Sequence, residues 1–147
     1  MRKWIWLMAW YPPYIGTGLK VESVNETATA FDISMKLRWY NRNIYGTHFG
    51  GSLYSMCDPW FAFAVSSYFG QDYIIWDKSA SIKYLKPGKG RVKATFAISQ
   101  DELTTMKKEV DINEKGNFML STNILGPSGE IVAEVIKEVY VRRKKQK

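Results

Sequence analysis

The densest chemistry in the chain lies between residues 43 and 58, Asn-Ile-Tyr-Gly-Thr-His-Phe-Gly-Gly-Ser-Leu-Tyr-Ser-Met-Cys-Asp. A glycine pair, Gly50-Gly51, opens an apolar segment that carries one carboxylate, Asp58. With Leu53, Met56, Trp60 and Phe61 around it, that acid is expected where water is scarce, and its ionised form is costly there unless a partner stabilises it. A carboxylate so placed is a candidate general base or nucleophile. The competing role is structural. Asp58 precedes Pro59, and Asp-Pro is a helix start, with Asp as N-cap and Pro at the first helical position, here of a helix from Pro59 to Phe69. If the helix instead begins near Ser52, Pro59 falls inside it at a cost of about 3 kcal/mol relative to alanine. A kink that frees the Ser55 carbonyl is then expected.

Around this stretch the sequence excludes several chemistries. His48 is the only histidine and Cys57 the only cysteine among 147 residues. No intrachain disulfide can form, a reducing and cytoplasmic setting is the simpler expectation, and a zinc site is not expected. There is no serine nucleophile elbow, phosphate-binding glycine loop or dinucleotide fingerprint. The net charge of +7 is concentrated at the ends, in Arg2 and Lys3 and in Arg142, Arg143, Lys144, Lys145 and Lys147. Such a basic tail attracts any polyanion without reading its sequence; a solvated, frayed terminus is the plainer reading, and no nucleic-acid partner is expected.

The elements that must position these residues follow from periodicity. The start, Met1 to Pro13, imitates a signal peptide but is rich in tryptophan and ends in Pro12-Pro13. It is also shorter than the ~20 apolar residues that a membrane span needs. It reads as an amphipathic helix over the domain edge within an N-terminal segment 1–18; Trp4, Trp6 and Trp10 beside Arg2 and Lys3 leave peripheral membrane contact as the alternative. Ala28 to Trp39 alternates as a strand, with Ala30, Phe31, Ile33, Met35 and Leu37 apolar. Leu53 to Phe69 is apolar nearly all round and predicts a buried helix ended by Gly70. Tyr73–Leu85 and Arg91–Ser99 read as two strands forming a hairpin about Pro87-Gly-Lys-Gly. Asp101 to Lys115 is either a short exposed helix or a long loop. Asn117–Leu125 and Glu130–Arg142 read as two more strands about Gly126-Pro-Ser-Gly. One helix apolar on all sides must be wrapped by the sheet, so the class is α+β and residues 1–147 form one domain.

Asn43, Gly46, Gly50, Gly51 and Asp58 fall on the pattern Asn-x-x-Gly-x-x-His-Gly-Gly followed by an acid, and Ser81-Ile-Lys-Tyr-Leu-Lys-Pro resembles a strand ending in Tyr-Leu-Arg-Pro. Together with Gly46-Thr-His-Phe-Gly-Gly-Ser-Leu-Tyr54 these motifs are similar to the PaaI-like branch of the hotdog-fold acyl-CoA thioesterases, including the uncharacterised YiiD C-terminal-like domains. The resemblance covers most of the chain. It departs from the pattern where the family has histidine: this chain has Phe49 there, and His48 lies one residue earlier.

The resemblance implies a long helix cradled by a curved antiparallel sheet, hydrolysis of an acyl-CoA or acyl-carrier thioester, no cofactor beyond coenzyme A in the substrate, and a homodimer or homotetramer in which two chains build each site. Backbone N–H groups at a helix start suit a developing oxyanion, and Gly51 and Ser52 would supply them. Asp58 would act as general base on water or attack directly, and Asn43 would orient the carbonyl or the acid. His48, Gly50, Ser52, Lys86 and Arg91 are the further substrate-binding candidates, the two cations meeting phosphates of coenzyme A. A non-catalytic acyl-CoA-binding or structural module of the same fold is the alternative, favoured by Phe49 and Pro59. Asp77-Lys78 reads as a polar pair on a strand edge.

Overall fold

Six strands form one antiparallel sheet in the computed structural model, which describes residues 2–145. The chain begins with α1 (Arg2–Ile5), a 3-10 turn (Trp6–Trp10) and α2 (Pro12–Ile15), then enters β1 (Leu19–Val24) and β2 (Ala30–Lys36). The central helical segment follows as α3 (Gly50–Ser55) and α4 (Trp60–Phe69). After it come β3 (Tyr73–Tyr84), β4 (Arg91–Ala97), α5 (Gln100–Asn113), β5 (Lys115–Leu125) and β6 (Ile131–Arg143). The spatial order is β1-β2-β4-β5-β6-β3, and the sheet curves around the central segment in the hotdog arrangement expected from the motifs.

The core is the contact between α4 and the inner sheet face. Trp60, Phe61, Ala64 and Val65 are buried against Phe31 and Ile33 of β2 and Val92, Ala94 and Phe96 of β4. Ring centroids lie 5.6 Å apart for Phe31–Trp60 and 5.2 Å for Phe61–Phe96, the range in which aromatic pairs add to simple area burial. Leu103, Met106 and Val110 of α5 join the same core. The polar stretch left open as helix or loop is a helix because Ser99 and Glu102 form a capping box at its start. Their reciprocal bonds satisfy two amides that a helix end leaves orphaned.

One expectation is corrected, one element is added, and the helix is interrupted at Pro59 as the proline implied. The buried helix is broken: α3 stops at Ser55, α4 starts at Trp60 after N-cap Pro59, and the Trp60 indole N–H donates to the Met56 carbonyl at 2.7 Å within the break. Pro59 has no N–H to continue the ladder, which is why the helix cannot run through it. Residues 73–97 are not a hairpin. β3 pairs with β6 at one edge of the sheet and β4 sits between β2 and β5, so the Pro87-Gly-Lys-Gly stretch is a crossover. Its backbone is satisfied by neighbouring loops: His48 N–H donates to Gly88 O at 2.9 Å and Leu37 N–H to Gly90 O at 2.7 Å. Finally, β1 is a strand that the pattern did not reveal. The hairpin about Gly126–Gly129 is as expected, with Gly126 N–H donating to Glu130 O at 2.8 Å.

Candidate active site

Strand β6 alternates cleanly, and Ala133, Val135, Val139 and Val141 of its inward row are completely buried. The same row contains Lys137, 1% exposed. A buried ammonium demands partners, and it has two: Asp58 Oδ1 at 2.6 Å and Asp77 Oδ2 at 2.8 Å. Asp58 reaches it from the break between α3 and α4. Asp77 reaches it from β3, where a bulge at Lys78 makes two residues of β3 span one step of β6. Bulges commonly re-aim a side chain beside a site, and this one separates inward Asp77 from Lys78 and Ser79, both of which bond Glu138 on the outer face.

The electrostatics of this triad are uneven. Burial alone would push the Lys137 ammonium down, but its bonds to Asp58 and Asp77 and their charges win, leaving its pKa raised and the lysine charged. Burial pushes the Asp77 carboxyl up, against the pull of Lys137 and with the Asp58 carboxylate adding to the rise. Asp77 also keeps one buried oxygen, Oδ1, without a hydrogen-bond partner among the described residues. Asp58 is the wet member, its side chain 47% exposed against 16% for Asp77. The dry carboxylate expected at Asp58 is therefore found at Asp77. The Tyr54 ring lies 5.5 Å from the Lys137 ammonium, close enough for a cation–π contact. Tyr14 donates to the backbone carbonyl of Asp58 at 2.5 Å; burial raises its pKa, so it remains a donor.

This triad borders a cleft of about 460 Å³ between α4 and β3, lined also by Tyr54, Pro59, Ala62, Phe63, Ile75 and Trp76. A concave site where a few charged groups converge beside apolar and aromatic side chains is the usual form of a small-molecule site, and this cleft mixes polar and apolar lining. The neighbouring Cys57 thiol is pushed up to about 12 by burial, which removes it as a thiolate nucleophile. Asp58 does not serve as a helix cap either: no side chain caps α4.

The remaining sequence-derived candidates gather elsewhere. Asn43, His48, Gly50 and Lys86 line a second cavity of about 420 Å³ with Tyr45, Leu53 and Tyr84. Asn43 organises its own loop, accepting from the Tyr45 and Thr47 amides at 3.0 and 3.2 Å and donating to Thr47 Oγ1 at 3.0 Å. His48 is 3% exposed. Its Nε2 lies 3.0 Å from the Gly90 carbonyl, which can only accept, so Nε2 carries the proton and Nδ1 is left a buried acceptor with no partner among the described residues. Burial depresses its pKa, so the ring is neutral.

The glycine pair has a packing reason. Tyr84 donates to Gly50 O at 2.9 Å with its ring over that residue, and a Cβ on Gly51 would come 2.5 Å from the Phe49 ring. Ser52 is buried. Arg91 lies outside both cavities, bonded to Ser34 Oγ at 2.8 Å and Glu22 at 3.2 Å. Sequence reasoning passed over Lys137 and read Asp77 only as half of a polar pair on a strand edge, whereas it meets the Lys137 ammonium. The signal was there for Lys137, a single lysine in phase with Val135, Val139 and Val141 of β6.

A family model described as a domain of unknown function, DUF4442, matches residues 3–141. Among solved structures the chain is similar to a protein of unknown function and probable thioesterase from Pseudomonas aeruginosa, PA5026, at a TM-score of 0.82 and 15% identity, covering 98% of this chain and 97% of that one. It is similar to thioesterase HI1161 from Haemophilus influenzae at 0.69 and 10%, covering 95% and 88%. It is also similar to the Escherichia coli PaaI protein of the phenylacetic acid degradation operon at 0.62 and 20%, covering 97% and 93%. No curated protein sequence matches the chain.

Proposed function

The chain belongs to the DUF4442 family, and from that premise we propose that it hydrolyses the thioester bond of an acyl-CoA or acyl-carrier substrate, with Asp58 as the carboxylate that drives the step. The observation that carries the reading is Asp58 itself, half-exposed in a cleft of mixed polar and apolar lining and held by a buried lysine. Two of the similar structures carry the name thioesterase, which supports the same reaction class here.

In this reading Asp58 takes a proton from water as the water oxygen attacks the thioester carbon, or attacks that carbon itself to give an anhydride that water then opens. The carbon–sulfur bond breaks and the thiol leaves with a proton. The Gly51 and Ser52 amides receive the developing oxyanion, and Asn43 orients the acyl carbonyl. Asn43, His48, Gly50 and Lys86 line a different cavity from Asp58. That division supports a homodimeric site to which each chain lends one set of residues, with Lys86 at the coenzyme A side. The sheet edge at β3, exposed over Lys78–Ser81, is the surface suited to such pairing.

A second reading, an acyl-CoA-binding module without turnover, is favoured by two contacts: the Phe49 ring lies across Gly51, and Lys137 already occupies Asp58 Oδ1. Free-thiol release from acyl-CoAs of acetyl to palmitoyl length, with Asp58→Asn in parallel, separates them. Turnover that falls at least ~100-fold in the variant, the scale of a lost general base, is the expected result. Equal turnover in the variant refutes the role of Asp58. Acyl-CoA binding without turnover establishes the module.

A further inference from the structure

Two segments leave large aromatic side chains in solvent. In the first, residues 4–15, Trp4 is 73% exposed and Trp10 77%, with Trp6, Leu7, Tyr11 and Ile15 also outside; only Ile5 and Tyr14 are buried and anchor the segment to the core. In the second, residues 39–49, Trp39 is 80% exposed and Tyr45 84%, and Tyr40, Ile44 and Phe49 are exposed too. The fold joins them. Asn41 Nδ2 donates to Thr17 O at 2.7 Å. The Tyr40 hydroxyl packs on Gly18, whose positive φ of 67° and lack of a Cβ make that approach possible. These contacts make the two exposed aromatic segments neighbours, together far richer than the scattered single apolar residues of an ordinary surface.

Charge says what this face fits. Residues 1–21 and 33–57 contain no Asp or Glu, and carry Arg2, Lys3, Lys20, Lys36, Arg38 and Arg42. Lys20 pairs with Glu22 at the margin, whereas Lys36, Arg38 and Arg42 make no ion pair among the described residues. A two-fold contact between copies through this face would set cations against the same cations with no acid to answer them. A bilayer with anionic headgroups answers both features: tryptophan and tyrosine rings settle at headgroup depth, and lysine and arginine meet the surface charge. No helix among the described residues is long and apolar enough to cross a membrane, so the contact is a surface one.

We propose that this aromatic, acid-free face docks the protein on anionic lipid. Tyr45 belongs both to the face and to the lining of the 420 Å³ cavity, so docking brings that cavity's mouth to the lipid surface.

The test is sedimentation of the full chain with sucrose-loaded vesicles of phosphatidylcholine alone or mixed with phosphatidylglycerol, read together with tryptophan emission. Binding to the mixed vesicles, weakened by salt and absent or much reduced on phosphatidylcholine, is expected. Arg38→Gln with Arg42→Gln lowers it by about fivefold per charge, and Trp10→Ala with Trp39→Ala reduces the emission shift while thermal melts stay at wild type. Equal binding to both vesicles, no binding to either, or variants that bind like wild type overturn the proposal. If the tryptophan variant instead loses an oligomer by light scattering and wild type ignores vesicles, a second copy covers the face and the lipid assignment is wrong.

Discussion

Replacing Lys137 by methionine keeps most of the length of the side chain and deletes the charge that two carboxylates share. Removing one partner of a buried ion pair costs about 3–5 kcal/mol, because the other charge is left dry and uncompensated. Here the loss falls unequally. Asp58, 47% exposed, turns to water, whereas Asp77, 16% exposed and already missing a partner at Oδ1, has far less water to turn to. The low end of the range, about 3 kcal/mol, is therefore expected, a fall in Tm of about 6–12 °C for a chain of this size. Most of it should return in the double variant Lys137→Met/Asp77→Asn, which no longer buries an unpaired charge. The pH dependence has a fixed sign. Without Lys137 the Asp77 pKa, already raised, rises further, and a raised carboxyl favours the folded state most when protonated. The variant's deficit should accordingly shrink on acidification. Urea denaturation of wild type and both variants across neutral and acidic pH measures this. A deficit under about 1 kcal/mol, or one that neither pH nor Asp77→Asn relieves, would refute the account of Lys137 as the dry centre of the triad.

His48 gives a second pH signature, isolated because no other histidine titrates. Its folded pKa lies below the ordinary value of about 6.5. Between the two values the unfolded chain binds the extra proton, so stability falls as pH drops below about 6.5, and His48→Gln should flatten that limb in denaturation curves. At α5, Ser99→Ala removes the hydroxyl that accepts from the Glu102 amide at 3.2 Å, and a loss of about 1 kcal/mol is expected by thermal or chemical melting. An unchanged melt would mean that the helix start is held by packing instead.

Much of the fold was legible where pattern and tertiary context agree. β4, β5 and β6 alternate over most of their length, and Leu53–Phe69 could only be an interior helix. Its proline announced a break, and the break came where Pro59 cannot donate. β1 was illegible for a local reason: Leu19 and Val21 alternate, but a bulge between Val21 and Ser23 shifts the phase before Val24. The false hairpin came from reading Pro87-Gly-Lys-Gly as a turn. The same residues serve equally well in a crossover, and which one they form depends on pairing partners distant in sequence. At the site, the motif singled out Asp58, but its partners Lys137 and Asp77 lie 79 and 19 positions further along the chain, beyond the reach of any local spacing.

The bulge at Lys78 also bears on how the sheet finds its alignment. Because of it, β3 presents Ile75 and Asp77 inward on one side and Ala80 and Ile82 on the other, a change of parity in mid-strand. Sliding β6 by one residue would turn Glu134 and Glu138 into the core and leave Lys137 in water. Sliding β3 alone would place Trp76 or Lys78 where Asp77 now meets the ammonium. The triad thus acts as a check on misregistration between the two strands, satisfied in one alignment and penalised in its nearest competitors.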